Sequence, residues 1–287
     1  MWRWRYHAGR SPFWSCARKT GSLCLLALSA VAVAAWILTR GAIPAPPILN
    51  GAISHRVSIS CAAASQNPAV HQLVRIRDGP RSFFQPTLDE AHDQFVSRVV
   101  NHHQVWDVHV AEVLQFVLDE TPCNRSAQQG IIVDVGANIG YFSSTAASRG
   151  CDTHAFEPQG ETSACVHVSA CINGWAPGEQ RAKGRLSVYR VPVSPHKTLS
   201  FPKLGPSAAG NTGGVSADFC LLNPDGCESQ ETVQLDVLFE RLLRGKKAAA
   251  YGGGEEPILV LKTDIEGYDI EVSTCACSQS VRMLCKM

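Results

Sequence analysis

Acidic residues are missing from the first part of this 287-residue chain. No aspartate or glutamate precedes Asp78, while Arg3, Arg5, Arg10, Arg18 and Lys19 crowd the start. The chain as a whole also lacks a surplus of either sign, with a formal net charge of +1. That excludes the basic field a polyanion-binding protein needs, and no nucleic-acid partner is expected. Metal-ligand spacing is absent too. His102, His103 and His109 lie close together, but no carboxylate or cysteine falls at a suitable interval, so they read as a helix face and no metal site is assigned.

Charge is again missing from residues 21–38, which run Leu23-Cys24-Leu25-Leu26-Ala27-Leu28 through Val31 to Leu38. That stretch is long enough to span a bilayer core as a helix. With the basic cluster upstream and only Arg40 close behind, the charge bias puts residues 1–20 in the cytosol, a signal anchor at 21–39 and the rest across the membrane. The expectation is a type II single-pass membrane protein with its domain in the endoplasmic reticulum or Golgi lumen. Two alternatives stay open: an acid-free leader with Arg and Ser also fits an organelle transit peptide, and a cleaved signal peptide is the third reading.

What is present fits one good-sized domain with appendages, at 45% hydrophobic and 18% charged residues. Ten of the twelve cysteines follow the apolar segment, which an oxidising lumen would tolerate. Cys220 and Cys227 bracket a turn, Asn223-Pro224-Asp225-Gly226, and form the first pair to consider for a disulfide, against scattered buried thiols. Asn124-Arg125-Ser126 is a glycosylation sequon, usable only in the lumen. Residues 40–84 hold five prolines and no sustained period, and read as a stem or linker whose short apolar pieces, such as 70–76, can pack on the domain. Thr87-Leu88-Asp89-Glu90 offers a helix start, and one or two amphipathic helices are predicted up to Pro122.

The chemistry concentrates at Ile131-Ile132-Val133-Asp134-Val135-Gly136-Ala137-Asn138-Ile139-Gly140. An apolar, β-branched run reads as a buried parallel strand, and Gly136 to Gly140 as a turn where backbone approaches a ligand closely, with a helix after it. A second strand at 153–156 ends in Glu157, about twenty residues beyond Asp134, the spacing at which a nucleotide-binding βαβ unit places a ribose-binding acid. Dinucleotide folds use G-x-G-x-x-G so that pyrophosphate can rest on the helix N-terminus, but here Asn138 replaces the middle glycine. The turn therefore favours a nucleoside without a pyrophosphate. For Asp134 and Glu157 the plainer alternative is a strand-end carboxylate satisfied by backbone amides.

These residues resemble the S-adenosylmethionine-binding motif of class I methyltransferases. Ile258-Leu259-Val260-Leu261-Lys262-Thr263-Asp264-Ile265-Glu266-Gly267-Tyr268-Asp269 is similar to the fourth-strand signature of the FkbM-type methyltransferase family, and Thr232-Val233-Gln234-Leu235-Asp236 to a preceding element of that family. The resemblance covers roughly residues 85–272, and it implies an α/β, Rossmann-like class I sheet and S-adenosyl-L-methionine as cofactor. It implies that Gly136, Asn138 and Gly140 line the methionine part, that Asp134 holds the turn or the amino group, that Glu157 binds the ribose and that Ser194 borders the adenine, an ordinary strand-end serine being the alternative there. Asp264 and Glu266 become the catalytic candidates, as general base or as ligands of a divalent cation, with Lys262 as their ion-pair partner; for Glu266 a helix-capping role stays open.

Residues 273–287 carry no pattern of the family's second half. The expectation is thus an incomplete sheet of the first four strands, a divergent tail, and a chain poorly stable or inactive alone. O-methylation of a hydroxyl-bearing acceptor such as a glycan is the leading function, the acceptor following from the resemblance and the lumenal placement. An inactive membrane-tethered remnant or interaction module, and a lumenal glycosyltransferase using the Asp264 and Glu266 acids, are the alternatives.

Overall fold

The computed structural model describes residues 61, 66–123, 130–178, 184–202, 220, 224–239, 258–265 and 283–285. All belong to the unit Asn50–Met287. The expected anchor at 21–39, the sequon at 124–126 and Glu266 lie outside the described residues.

The chain enters through a hairpin, β1 (Gln72–Asp78) paired antiparallel with β2 (Arg81–Thr87), closed by Gly79 at φ +57°. Two helices follow, α1 (Val96–His103) and α2 (Val108–Glu120). Then come β3 (Ile131–Val135), α3 (Tyr141–Ser148), β4 (Asp152–Phe156), α4 (Gly160–Ile172) and β5 (Arg185–Tyr189). An antiparallel ribbon of β6 (Thr198–Pro202) and β7 (Cys227–Glu231) follows, residues 235–239 are helical, and β8 (Ile258–Thr263) and β9 (Met283–Cys285) complete the order.

The central sheet is parallel, in the order β5-β4-β3-β8-β9. This is an α/β fold compatible with a Rossmann-like arrangement. The chain moves outward from β3 through β4 to β5, then returns to the other side of β3 with β8. Strand order therefore reverses between β3 and β8, and at such a reversal the carboxyl ends of the strands leave a crevice for ligands.

Burial on both faces explains why β3, at Ile-Ile-Val-Asp-Val, shows no polar alternation. Ile132 and Val260 join a core with α2, α3, α4 and the hairpin, while Ile131, Val133, Val135 and Leu261 join a second core with Phe156, Val193 and the helical residues Leu235, Leu238 and Phe239. Each of these fully buried aliphatics contributes about 1.5–3 kcal/mol. Helix α4 is rich in β-branched and small residues and buried almost all round between β5 and β2, so packing rather than propensity holds it.

Three expectations change. Residues 72–84, assigned to the stem, form the hairpin and belong to the folded unit, in keeping with the idea that 70–76 packs on it. Thr87 does not start a helix: it ends β2, and Asp93 caps α1 instead, its carboxylate accepting the amides of Val96 (3.1 Å) and Ser97 (2.8 Å). The sheet does not stop at four strands, because Met283–Cys285 in the tail pairs parallel with Leu261–Thr263 and covers the far edge of β8. Among the described residues no helix is long and apolar enough to cross a membrane.

Cys220 and Cys227 are disulfide-bonded, Cα to Cα 5.8 Å. Cys61–Cys171 and Cys123–Cys151 are bonded as well, and Cys165 is a free thiol whose pKa burial pushes up, keeping it inert.

A buried ion pair, Arg149 with Asp78, extended to the exposed Asp119, ties the hairpin to the helical layer. Arg149, just past α3, donates through Nε and Nη2 to both oxygens of Asp78 at 2.7 Å and through Nη1 to Asp119 on α2 at 2.5 Å. Removing one partner of a buried pair strands the other charge, so Arg149→Met is expected to destabilise the fold by about 3–5 kcal/mol. Urea unfolding checks this; a loss within about 0.5 kcal/mol, the range of an ordinary surface change, would contradict it.

Candidate functional site

Parallel pairing sets Asp134 of β3 directly across from Lys262 of β8. Each is the one ionisable side chain of an apolar strand, and burial obliges the two charges to meet. Lys262 Nζ donates to Asp134 Oδ1 at 2.9 Å and to the Gly136 carbonyl at 2.9 Å, and lies 5.4 Å from the centre of the Phe142 ring. Ser143, on the first turn of α3, donates to Asp134 Oδ2 at 2.5 Å. Burial alone would push the Lys262 pKa down, but the charges of Asp134, Asp264 and Glu157 prevail and raise it. Lys262 is therefore a cation that anchors the start of the turn. The charge of Asp264 acts on it too, as expected, Glu266 lies outside the described residues, and the carboxylate that accepts its hydrogen bond is Asp134, which cross-strand register places opposite.

The turn is as sharp as its glycines suggest. Gly136 (φ +74°), Asn138 (φ +52°) and Gly140 (φ +86°) are all left-handed, a conformation costly for residues with a Cβ. A Cβ at Gly136 would overlap the Asp264 backbone carbonyl, and one at Gly140 would sit 3.0 Å from both methyls of Val166 on α4. Gly136 and Ala137 both donate to the Phe156 carbonyl, at 2.9 and 3.1 Å, which folds the turn over the end of β4.

Glu157 follows at that end and faces the turn. Its Oε2 accepts the Asn138 amide at 2.8 Å and its Oε1 the Gln159 amide at 3.0 Å. Burial raises its pKa, and the two amides, with Thr162 and Lys262, oppose the rise. Asn138 Oδ1 in turn accepts the Ile139 amide at 2.7 Å, occupying a donor that a phosphate would otherwise use at the head of α3. Asp264 reaches the same rim from β8, its amide donating to the Val135 carbonyl at 3.0 Å, with its side chain half-buried.

Six of the residues singled out from the sequence thus converge: Asp134, Gly136, Asn138, Gly140, Glu157 and Asp264. Ser194 does not join them through its hydrogen bonds. Its amide donates to Val233 and its Oγ accepts the His196 amide at 3.1 Å, which makes it part of a strand-end turn. Glu266 lies outside the described residues, so nothing is added on its role. For Asp134 the contacts are those of a turn-holding carboxylate. For Glu157 the amide contacts of the plainer reading are present, in a position that still borders the glycine turn.

Sequence reasoning missed Ser143, Phe142 and Gln85, which donates to the Ile139 carbonyl at 2.7 Å. The Asp134–Lys262 pairing was findable, since two neighbouring apolar strands each carried one charge. Gln85 gave no signal, because its strand lies outside the central sheet. His102 reaches Glu90 at 3.3 Å on the surface, as a helix-face histidine does.

Among the described residues the cluster sets three carboxyl groups, of Asp134, Glu157 and Asp264, against the ammonium of Lys262. The nearby Arg190 is turned to the Pro158 carbonyl (3.3 Å) and Glu228 (3.7 Å). Such a balance suits a cationic or neutral group better than an anionic one. Compared with family models, with curated proteins and with solved structures, the chain shows no match.

Lys262→Met is expected to cost about 3–5 kcal/mol, because Asp134 is left buried and uncompensated. A raised lysine pKa stabilises the fold fully below the unfolded value of about 10.4 and loses that contribution as pH rises through the folded value. Denaturant unfolding of both proteins should show a constant gap up to about pH 9, narrowing only beyond the ordinary lysine range. A gap already closing near neutrality would contradict the assignment.

Proposed function

We propose that this chain is an S-adenosyl-L-methionine-dependent methyltransferase of the FkbM type. The observation that carries the reading is the seating of Glu157, at the end of β4, against the glycine turn that leaves β3 where strand order reverses, its Oε2 on the Asn138 amide at 2.8 Å. Glu157 would bind ribose hydroxyls through the lone pairs its present partners leave, and the turn that Gly136 and Gly140 make possible would carry the methionine portion. The negative balance of the cluster favours a sulfonium with an amino group, and the Asn138 side chain takes the amide a pyrophosphate would need.

Methyl transfer from a sulfonium is an in-line displacement, so the protein's part is alignment, exclusion of water and acceptance of the acceptor's proton. Asp264, half-buried on the rim, is the described candidate to receive that proton from a hydroxyl. Glu266 is the second candidate, and the role proposed for the two is general base or ligand of a divalent cation. Three disulfides are the chemistry of an oxidising compartment and support lumenal placement behind a type II anchor, with a hydroxyl-bearing acceptor such as a glycan.

A second reading, a membrane-tethered module without activity, draws on the fact that both Glu157 oxygens already accept backbone amides. Calorimetry separates the two. The proposal expects S-adenosylmethionine to bind the wild type and Glu157→Ala to bind roughly ten- to a hundredfold more weakly, the worth of a hydrogen bond to a charged group. Equal binding in both removes Glu157 from the cofactor site and with it the observation that carries the proposal, none in either favours the inactive module, and manganese-dependent binding of a sugar nucleotide favours a glycosyltransferase.

A further inference from the structure

Gln85, on β2, is wholly buried, and its Nε2 donates to the Ile139 carbonyl at 2.7 Å and to the Pro86 carbonyl at 3.0 Å. Two carbonyls on one side leave no choice of orientation: the amino end must face them. The other end, Oε1, is buried and has no hydrogen-bond partner among the described residues. A buried amide with an orphaned acceptor costs more than leucine or methionine of similar volume, so filling space does not account for glutamine here. What the position uses is the donor.

The carbonyl it holds belongs to the residue between Asn138 and Gly140, both left-handed. Backbone of this kind persists only where its surroundings over-determine it. Glu157 secures the amide side of the turn and Lys262 its first carbonyl; Gln85 secures the carbonyl at its far end. The strand that delivers Gln85 is itself fixed. The Phe84 amide donates to Asn173 Oδ1 at 2.9 Å and Asn173 Nδ2 returns a bond to the Phe84 carbonyl at 2.8 Å, and Asn173 closes α4, the helix that begins just past Glu157.

We infer that Gln85 is a positioning residue for the cofactor, acting through the Ile139 carbonyl, so that a hairpin outside the central sheet sets the affinity of the glycine turn. The inference rests on the cofactor reading of that turn, and Gln85 itself does not touch the ligand.

The test uses the full chain, wild type and two variants, with two readouts: amide hydrogen exchange across residues 136–141 without ligand, and calorimetry with S-adenosylmethionine. In Gln85→Met exchange across the turn should rise and affinity fall by roughly tenfold, the worth of one hydrogen bond, while exchange in β4 stays as in the wild type. Gln85→Glu adds a signature that a packing role does not produce. Its neutral carboxyl, below about pH 5, donates to the Ile139 carbonyl and restores protection; its carboxylate, above about pH 8, faces two carbonyls and loosens the turn, after correction for intrinsic exchange.

Turn exchange unchanged in both variants overturns the inference. So does a lower melting temperature with affinity per folded molecule intact, which is a role in the fold alone. Should the wild type fail to bind S-adenosylmethionine, the functional reading falls and the exchange data still decide whether Gln85 holds the turn. Should Gln85→Met not fold, the pH comparison in Gln85→Glu decides instead.

Discussion

A single charge pair, Asp134 with Lys262, sets the geometry on which the rest of the site depends. It lies between the two strands where sheet order reverses, under α2 and α3, and it fixes three things together: the register of β3 on β8, the first turn of α3 through Ser143, and the inward-facing carbonyl of Gly136. In an apolar layer such a pair adds little net stability compared with well-packed hydrophobes. Its effect is on specificity of arrangement, since a one-residue slip of β8 would bury an unpaired lysine and an unpaired aspartate together.

From that anchor the turn is built in steps. Lys262 holds its start, the Phe156 carbonyl draws its first two amides over β4, Glu157 takes the Asn138 amide, Asn138 takes the next, and Gln85 closes the far side. The left-handed residues are tolerated because each has such a partner. The outcome is a tightly bonded turn with the Glu157 and Asp264 carboxylates at its rim and the Asp264 carbonyl and Val166 packed where its two glycines lack a Cβ.

Much of this was legible in the residues. The change from a β-branched run to glycines and then to a helix placed β3, the turn and α3, and the interval to Glu157 placed the end of β4. Both rest on local patterns that packing then reinforces. The hairpin was less legible because Val74 and Ile76 alternate with arginines over too short a run between Pro68 and Pro80, although Asp78-Gly79 is a turn signal. β9 is three residues long, too short for any period to show, and its pairing with β8 comes from the fold. The Cys61–Cys171 and Cys123–Cys151 bonds were beyond reach for the same reason: spacing does not fix connectivity. Gln85 needed the three-dimensional contact, because a glutamine in a strand carries no mark of what it bonds.

The proposed function requires one adenosine-bearing methyl donor to bind on the rim that the glycine turn and Glu157 form together. A crystal structure with S-adenosylhomocysteine tests it most directly. The account predicts ribose hydroxyls within hydrogen-bonding distance of the Glu157 carboxylate and the homocysteine part against Gly136 and Gly140. Nucleoside bound elsewhere on the molecule, with Glu157 still contacting only Asn138 and Gln159, would contradict it.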